Sequence, residues 1–270
     1  MKRQIISKRL NYNAGIMAWY SKELKALVKA MSKECRKTLA EIYKKGYPDI
    51  AFDESISSQA RIALNQLQRK YGDKFSDKSK ILAESLLKKT NRYANWQFNN
   101  QLKEMLGDKA KGFALSGSAI SPEKSEVIKA LLFENVSLIK SIPNEYFKQI
   151  TGSVARSIES GEGVKWLARQ LSEYGAKTER RADLIAQDQT RKAYSSINLR
   201  NFDEAGIKKF KWLHSGGSRD PRPYHKDVLD GQIFDMDDPP IIDERTGERG
   251  YPGQLPYCRC TMCAVLDFDD

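Results

Sequence analysis

The sequence predicts an α+β protein, mainly α-helical, with long N-terminal helices and a small C-terminal β-unit. Three observations carry this. Apolar side chains recur at three- and four-residue spacing from Met17 to Ala205. After Gly206 the pattern changes to alternation, as in Lys209-Phe210-Lys211-Trp212-Leu213. The last quarter gathers both histidines and three of the four cysteines among turns rich in Gly, Pro and Asp.

The first helix is expected from Met17 to Lys45, on a stripe of Leu24, Leu27, Val28, Met31, Cys35, Leu39 and Ile42, with Gly46-Tyr47-Pro48 as its stop. Cys35 lies on that stripe and reads as a small core residue rather than a reactive thiol. A second helix is expected from Ser57 to Tyr71, on Ile62, Leu64 and Leu67, broken by Gly72-Asp73. A third runs from Lys78 to Leu106. Gly107–Ser121, rich in Gly, Ala and Ser, is the expected hinge between a basic helical region 1–110 and a second domain 121–270.

Ser121-Pro122-Glu123 is a helix start, with a capping serine, a first-turn proline and an acid at the positive end of the helix dipole. Further helices are expected to restart at Ile142-Pro143, Val164 and Thr178, with Gly175 and Gly206 as stops. Strands are expected at 209–213, 232–234 and 260–268, with Asp230-Gly231 as a turn that aims Ile233 and Phe234 inward. Trp19, Trp96, Trp166 and Trp212 occupy apolar positions and read as core residues rather than stacking platforms.

The chain of 270 residues has 40% hydrophobic and 30% charged content, and a mean hydropathy of −0.62. No apolar run approaches the ~18 residues of a membrane span. Met1–Leu10 is basic without an apolar core, so no secretory signal is expected. The clustered cysteines fit a reducing compartment better than a disulfide framework. The net charge of +11 is uneven: residues 214–270 carry 6 basic against 12 acidic side chains, and residues 1–50 carry 12 against 4. The basic helices point toward nucleic acid or an acidic protein surface, with Lys25, Lys29, Lys33 and Lys37 as the expected contacts.

His225, Cys258, Cys260 and Cys263 form the candidate metal set. Zinc takes sulfur and imidazole ligands tetrahedrally, and a C-x-C-x-x-C run with a distant histidine can supply them. Such a structural zinc would order a loop-rich β-unit lacking a large core of its own. His214 is the alternative nitrogen ligand. A second cluster, Arg219, Asp220, Arg222, His225 and Asp227, is the arrangement a metal-dependent nuclease would use, with His225 as base. The better reading of that cluster is a loop in which the arginines pair with Asp230, Asp235, Asp237 and Asp238 to fix the fold. A plain DNA-binding module is the third class.

Trp212-x-x-Ser215, Arg219-x-x-Arg222-Pro223-x-His225, Asp230-Gly231-x-x-Phe234, a proline-rich loop and Cys258-Arg259-Cys260 follow one another in order. Preceded by the helix through Ala182–Thr190, this set resembles the phage Mu F-like minor head proteins, over roughly residues 130–268. The resemblance implies a virion protein of a phage or prophage that acts in head assembly. Its implied partners are the portal and the capsid or scaffold proteins, with phage DNA nearby and no membrane. It does not imply an enzyme.

Overall fold

The computed structural model describes residues 3–45, 55–107, 121–160, 164–216 and 221–268. Four long helices and a small antiparallel sheet make up the described chain, the α+β architecture expected from the sequence. The helices are α1 (Ala14–Lys45), α2 (Ile56–Leu106), α3 (Pro122–Glu159) and α4 (Val164–Glu204). The fold divides into two units. One contains Met1–Met17, Ser85–Leu131 and Gln187–Asp270; the other contains Ala18–Glu84 and Leu132–Ala186. Most of the hinge expected at Gly107–Ser121, and the Gly46-Tyr47-Pro48 stop, lie outside the described residues.

The helical unit is built on amphipathic stripes. In α1, Tyr20, Leu24, Val28, Met31, Cys35 and Leu39 are all fully buried, at the spacing one helix face requires. Burial drives the Cys35 thiol up to about 12, in keeping with an inert core residue. Three breaks expected from the sequence are absent. α2 runs through Gly72, because Leu64, Leu67, Tyr71, Phe75 and Leu82 continue one buried stripe across it. Burial of Tyr71 and Phe75 outweighs the ~1 kcal/mol that glycine costs a helix. Ile62 lies off that stripe and is exposed.

α3 likewise contains Pro143, with Ile139, Ile142, Tyr146 and Ile150 buried along one face on either side of it. α4 passes through Gly175, where the missing side chain serves packing. A Cβ there would meet Ser32 Oγ at 3.2 Å. In each case tertiary burial overrides the local breaker.

The sheet unit orders its strands β1-β6-β2-β3, all antiparallel. They are β1 (Arg3–Ile6), β2 (Lys209–Leu213), β3 (Ile233–Asp235) and β6 (Thr261–Phe268). β4 (Ile241–Asp243) and β5 (Glu248–Arg249) form a separate hairpin. β1 was not foreseen; its four residues pair with Val265–Phe268 at the other end of the chain. β6 is therefore central and almost continuously buried.

One face of the sheet, with Phe210, Trp212, Met262, Ala264 and Leu266, shares an apolar core with Phe98 of α2 and Ile197 and Phe202 of α4. The β-unit thus has a substantial core, supplied in part by helices. α4 ends as expected at Gly206, which takes φ 72° while Ile207 N–H donates to Phe202 C=O at 2.8 Å. The Asp230-Gly231 turn aims only Phe234 inward, against Phe210 with ring centroids 5.8 Å apart; Ile233 is exposed. At the start of α3, Ser121 Oγ accepts the Lys124 N–H at 3.2 Å, the expected cap.

Candidate metal centre

Short elements of the sheet unit converge on one buried point. Arg222 and Pro223 open the five-residue helix α5 (Pro223–Asp227), and Arg222 Nη2 donates to Pro256 C=O at 2.9 Å. That contact ties α5 to the loop carrying the C-R-C cysteines. Tyr257, immediately before Cys258, sits in the left-handed region with φ 61°. Its N–H donates to Asp188 of α4 at 2.8 Å, which holds the loop in that uncommon conformation. Cys258 N–H donates to Leu255 C=O at 3.0 Å, and Cys260 directly precedes β6.

His225, Cys258 and Cys260 are all buried, and their ligand atoms lie within 4.8 Å of one another. His225 Nδ1 is 3.6 Å from Cys258 Sγ and 3.7 Å from Cys260 Sγ. Zinc bonds of about 2.3 Å to sulfur and 2.05 Å to nitrogen, at tetrahedral angles, put such atoms about 3.6 Å apart. The spacing therefore fits two thiolates and one imidazole around a single ion. On the other side of the ring, Nε2 lies 2.8 Å from the Ile242 carbonyl. Donation there places the proton on Nε2 and leaves the Nδ1 lone pair facing the sulfurs. Trp212 meets the same ring edge-on, with centroids 5.1 Å apart.

The three groups shift one another's protonation. The Cys258 thiol is held well below its ordinary range, first by a hydrogen bond from Cys260 and then by His225, against the opposing effect of burial. Cys260, the donor in that pair, is pushed up by the same bond and by burial. Burial lowers the His225 pKa, but the hydrogen bonds to Cys258 and to the Ile242 carbonyl outweigh it and leave the ring above its usual value. A divalent cation would replace the shared proton and let both sulfurs ionise.

Of the four expected ligands, the fold brings together three. Cys263 lies on β6 in register with Lys211, one residue out of step with the inward-facing Met262 and Ala264, so alternation turns it to the other sheet face. A small pocket of about 30 Å³ beside the three residues is lined also by His214, Arg222, Tyr257 and Arg259. His214 borders this pocket but stands outside the ligand cluster. Its Nδ1 accepts the Gly216 N–H at 3.2 Å.

Arg222 donates to the Pro256 carbonyl and, among the described residues, forms no ion pair, whereas Arg249 pairs with Asp238. Arg219 and Asp220 lie outside the described residues. Three of the four expected contact lysines have acidic neighbours: Lys25 with Asp183, Lys29 with Glu179 and Lys37 with Glu41. Lys33 is exposed. Lys124 was not singled out from the sequence, yet it is fully buried, its amine held by Asn95 at 3.1 Å, Asn201 at 2.5 Å and Glu204 at 3.4 Å. Its place in a helix first turn resembles that of any solvated lysine.

Residues 148–263 match the family model described as phage Mu protein F like protein. This stretch of the chain is phage Mu F-like. The Mu F-like stretch includes all of α4, β2 through β5 and the three clustered ligands. An uncharacterized protein of Haemophilus influenzae is 30% identical over 250 residues, covering 92% of this chain. The chain spans about half of that relative's length, 53%. No solved structure matches the chain. Among the described residues, no helix is long and apolar enough to cross a membrane.

Proposed function

We propose that the protein is a minor head protein of a tailed phage or prophage, acting in head assembly beside the portal and the capsid interior. The observation that carries this reading is the Mu F-like stretch, which takes in the helix–sheet core and the whole ligand cluster. Portal, capsid and scaffold proteins are its proposed partners, and phage DNA a further one. The virion, and the host cytoplasm during assembly, are its proposed locations.

Within that role, His225, Cys258 and Cys260 hold a structural zinc. The ion fastens α5, the C-R-C loop and, through the Ile242 carbonyl, the β4–β5 hairpin onto the sheet. A nuclease centred on His225 is the weaker reading. One ring nitrogen faces the sulfurs and the other the Ile242 carbonyl, so neither is free to take a proton from water.

The test is co-purification of the full chain with the portal and scaffold proteins encoded beside it. A stable complex with the portal protein is the expected result. A folded chain that ignores both partners would overturn the assembly role.

A further inference from the structure

We infer that the second half of α2 carries a binding groove for single-stranded nucleic acid. The groove has a volume of about 660 Å³ and lies within the sheet unit. Lys88, Lys89 and Arg92 line it together with Tyr93, Trp96 and Ile16. Among the described residues, no acidic side chain lines it.

Two independent features select the ligand. The first is charge. Lys88 and Arg92 are exposed, and neither is ion-paired among the described residues, in contrast to Lys25, Lys29 and Lys37 of α1. Exposed cations outside any such ion pair suit an anionic ligand. The second is the indole. Trp96 is 59% exposed, contrary to its expected core position, and it packs against Tyr93 with ring centroids 5.8 Å apart. Tyr93 in turn meets the buried Tyr194, so the aromatic pair is anchored while the indole remains open to solvent.

Lys88, Arg92 and Trp96 stand at i, i+4 and i+8 and form one row along α2. At a rise of 1.5 Å per residue the row is about 12 Å long, the length of about three to four stacked nucleotides. Phosphates along the two cations would bring a base onto the Trp96 face. A free indole beside cations is the combination that binds unpaired bases, whose faces are open for stacking. A duplex keeps those faces stacked on one another, and an acidic peptide has none. Single-stranded nucleic acid is therefore the occupant both features favour. The inference rests on this groove alone and needs neither the head-assembly role nor the zinc.

The test uses the full chain and a labelled short oligothymidylate in moderate salt, followed by anisotropy and by quenching of tryptophan fluorescence. Competitors are an abasic strand of equal length, a blunt duplex and polyglutamate. The expected result is binding that quenches fluorescence and competitors that are all weaker. Trp96→Ala should weaken binding about 10-fold or more, and Trp96→Phe, which keeps a ring, should recover most of it. Replacing Lys88 and Arg92 together by Ala should flatten the salt dependence by about 1.4 in log–log slope. Absence of binding, unchanged affinity in Trp96→Ala, or an abasic strand or polyglutamate that competes equally would each overturn the proposal. A chain that binds portal protein but not oligothymidylate overturns only this proposal, and the opposite pattern overturns only the assembly role.

Discussion

His225 presents its Nδ1 to Cys258 Sγ at 3.6 Å from a ring already fixed on its far side by the Ile242 carbonyl. The tautomer and orientation a metal needs are thus set by the fold before any ion arrives. Cys260 completes the cluster of three buried residues whose ligand atoms lie within 4.8 Å of one another.

Replacing His225 by Ala, or Cys258 or Cys260 by Ser, should abolish bound metal, whereas Cys263→Ser should keep it. Chelation of the wild-type chain should lower its stability by about 4 kcal/mol if free metal stood at 1,000 times its dissociation constant. Metal analysis and thermal melts with and without chelator measure both effects. Metal loss in Cys263→Ser would return that residue to the ligand set.

His214→Ala should leave the metal content unchanged, because His214 lines the neighbouring pocket without joining the cluster. A fall in metal affinity of 10-fold or more would show that His214 swings in to ligate.

Acid should release the metal. The bound imidazole must be neutral and both sulfurs thiolate, and the metal-free His225 has its pKa raised above the ordinary value of about 6.5. Protons therefore compete for Nδ1 from near neutrality downward. Stability supplied by the metal therefore declines as pH falls, most steeply below neutrality, where Nδ1 as well as the Cys260 thiol must give up a proton to the solvent. A release midpoint between about pH 5 and 7, read with a chromophoric chelator, is expected. Retention to pH near 3 would contradict the ligand assignment.

Lys124→Met should destabilise the chain by about 2–4 kcal/mol. It keeps the side-chain volume but leaves Asn95 and Asn201 without their donor and Glu204 without its cation. Denaturant unfolding tests this; an unchanged midpoint would mean that water replaces the amine.

The two helix glycines should behave oppositely. Gly72→Ala meets nothing within 4 Å and should stabilise α2 by up to about 1 kcal/mol. Gly175→Ala would gain the same propensity but brings its Cβ to 3.2 Å from Ser32 Oγ, and should gain less or lose. Melting of the two variants side by side decides it.

Much of this was legible in the sequence, and the failures share a cause. The α1 stripe, the Ser121 cap, the Gly206 stop and the strand at 209–213 are local signals, and each holds. Gly72, Pro143 and Gly175 read as breaks because burial on either side of them is not visible locally. β1 is missed because its partner lies about 260 residues away and four residues carry no period of their own. At the candidate site, residue type and order singled out His225, Cys258 and Cys260, which the fold brings together. That Cys263 stands apart from them follows from the register of β6 against β2, which local sequence does not show. Trp96 and Lys124 show the reverse failing: an apolar residue left exposed and a charged one buried, both decided by which helix face meets the core.

The most direct measurement is the metal content of the purified full chain, by elemental analysis alongside Cys258→Ser. The arrangement of His225, Cys258 and Cys260 predicts about one zinc per chain, lost in the variant together with thermal stability. A folded wild-type chain that carries no metal after growth in zinc, and melts at the same temperature as Cys258→Ser, would contradict it.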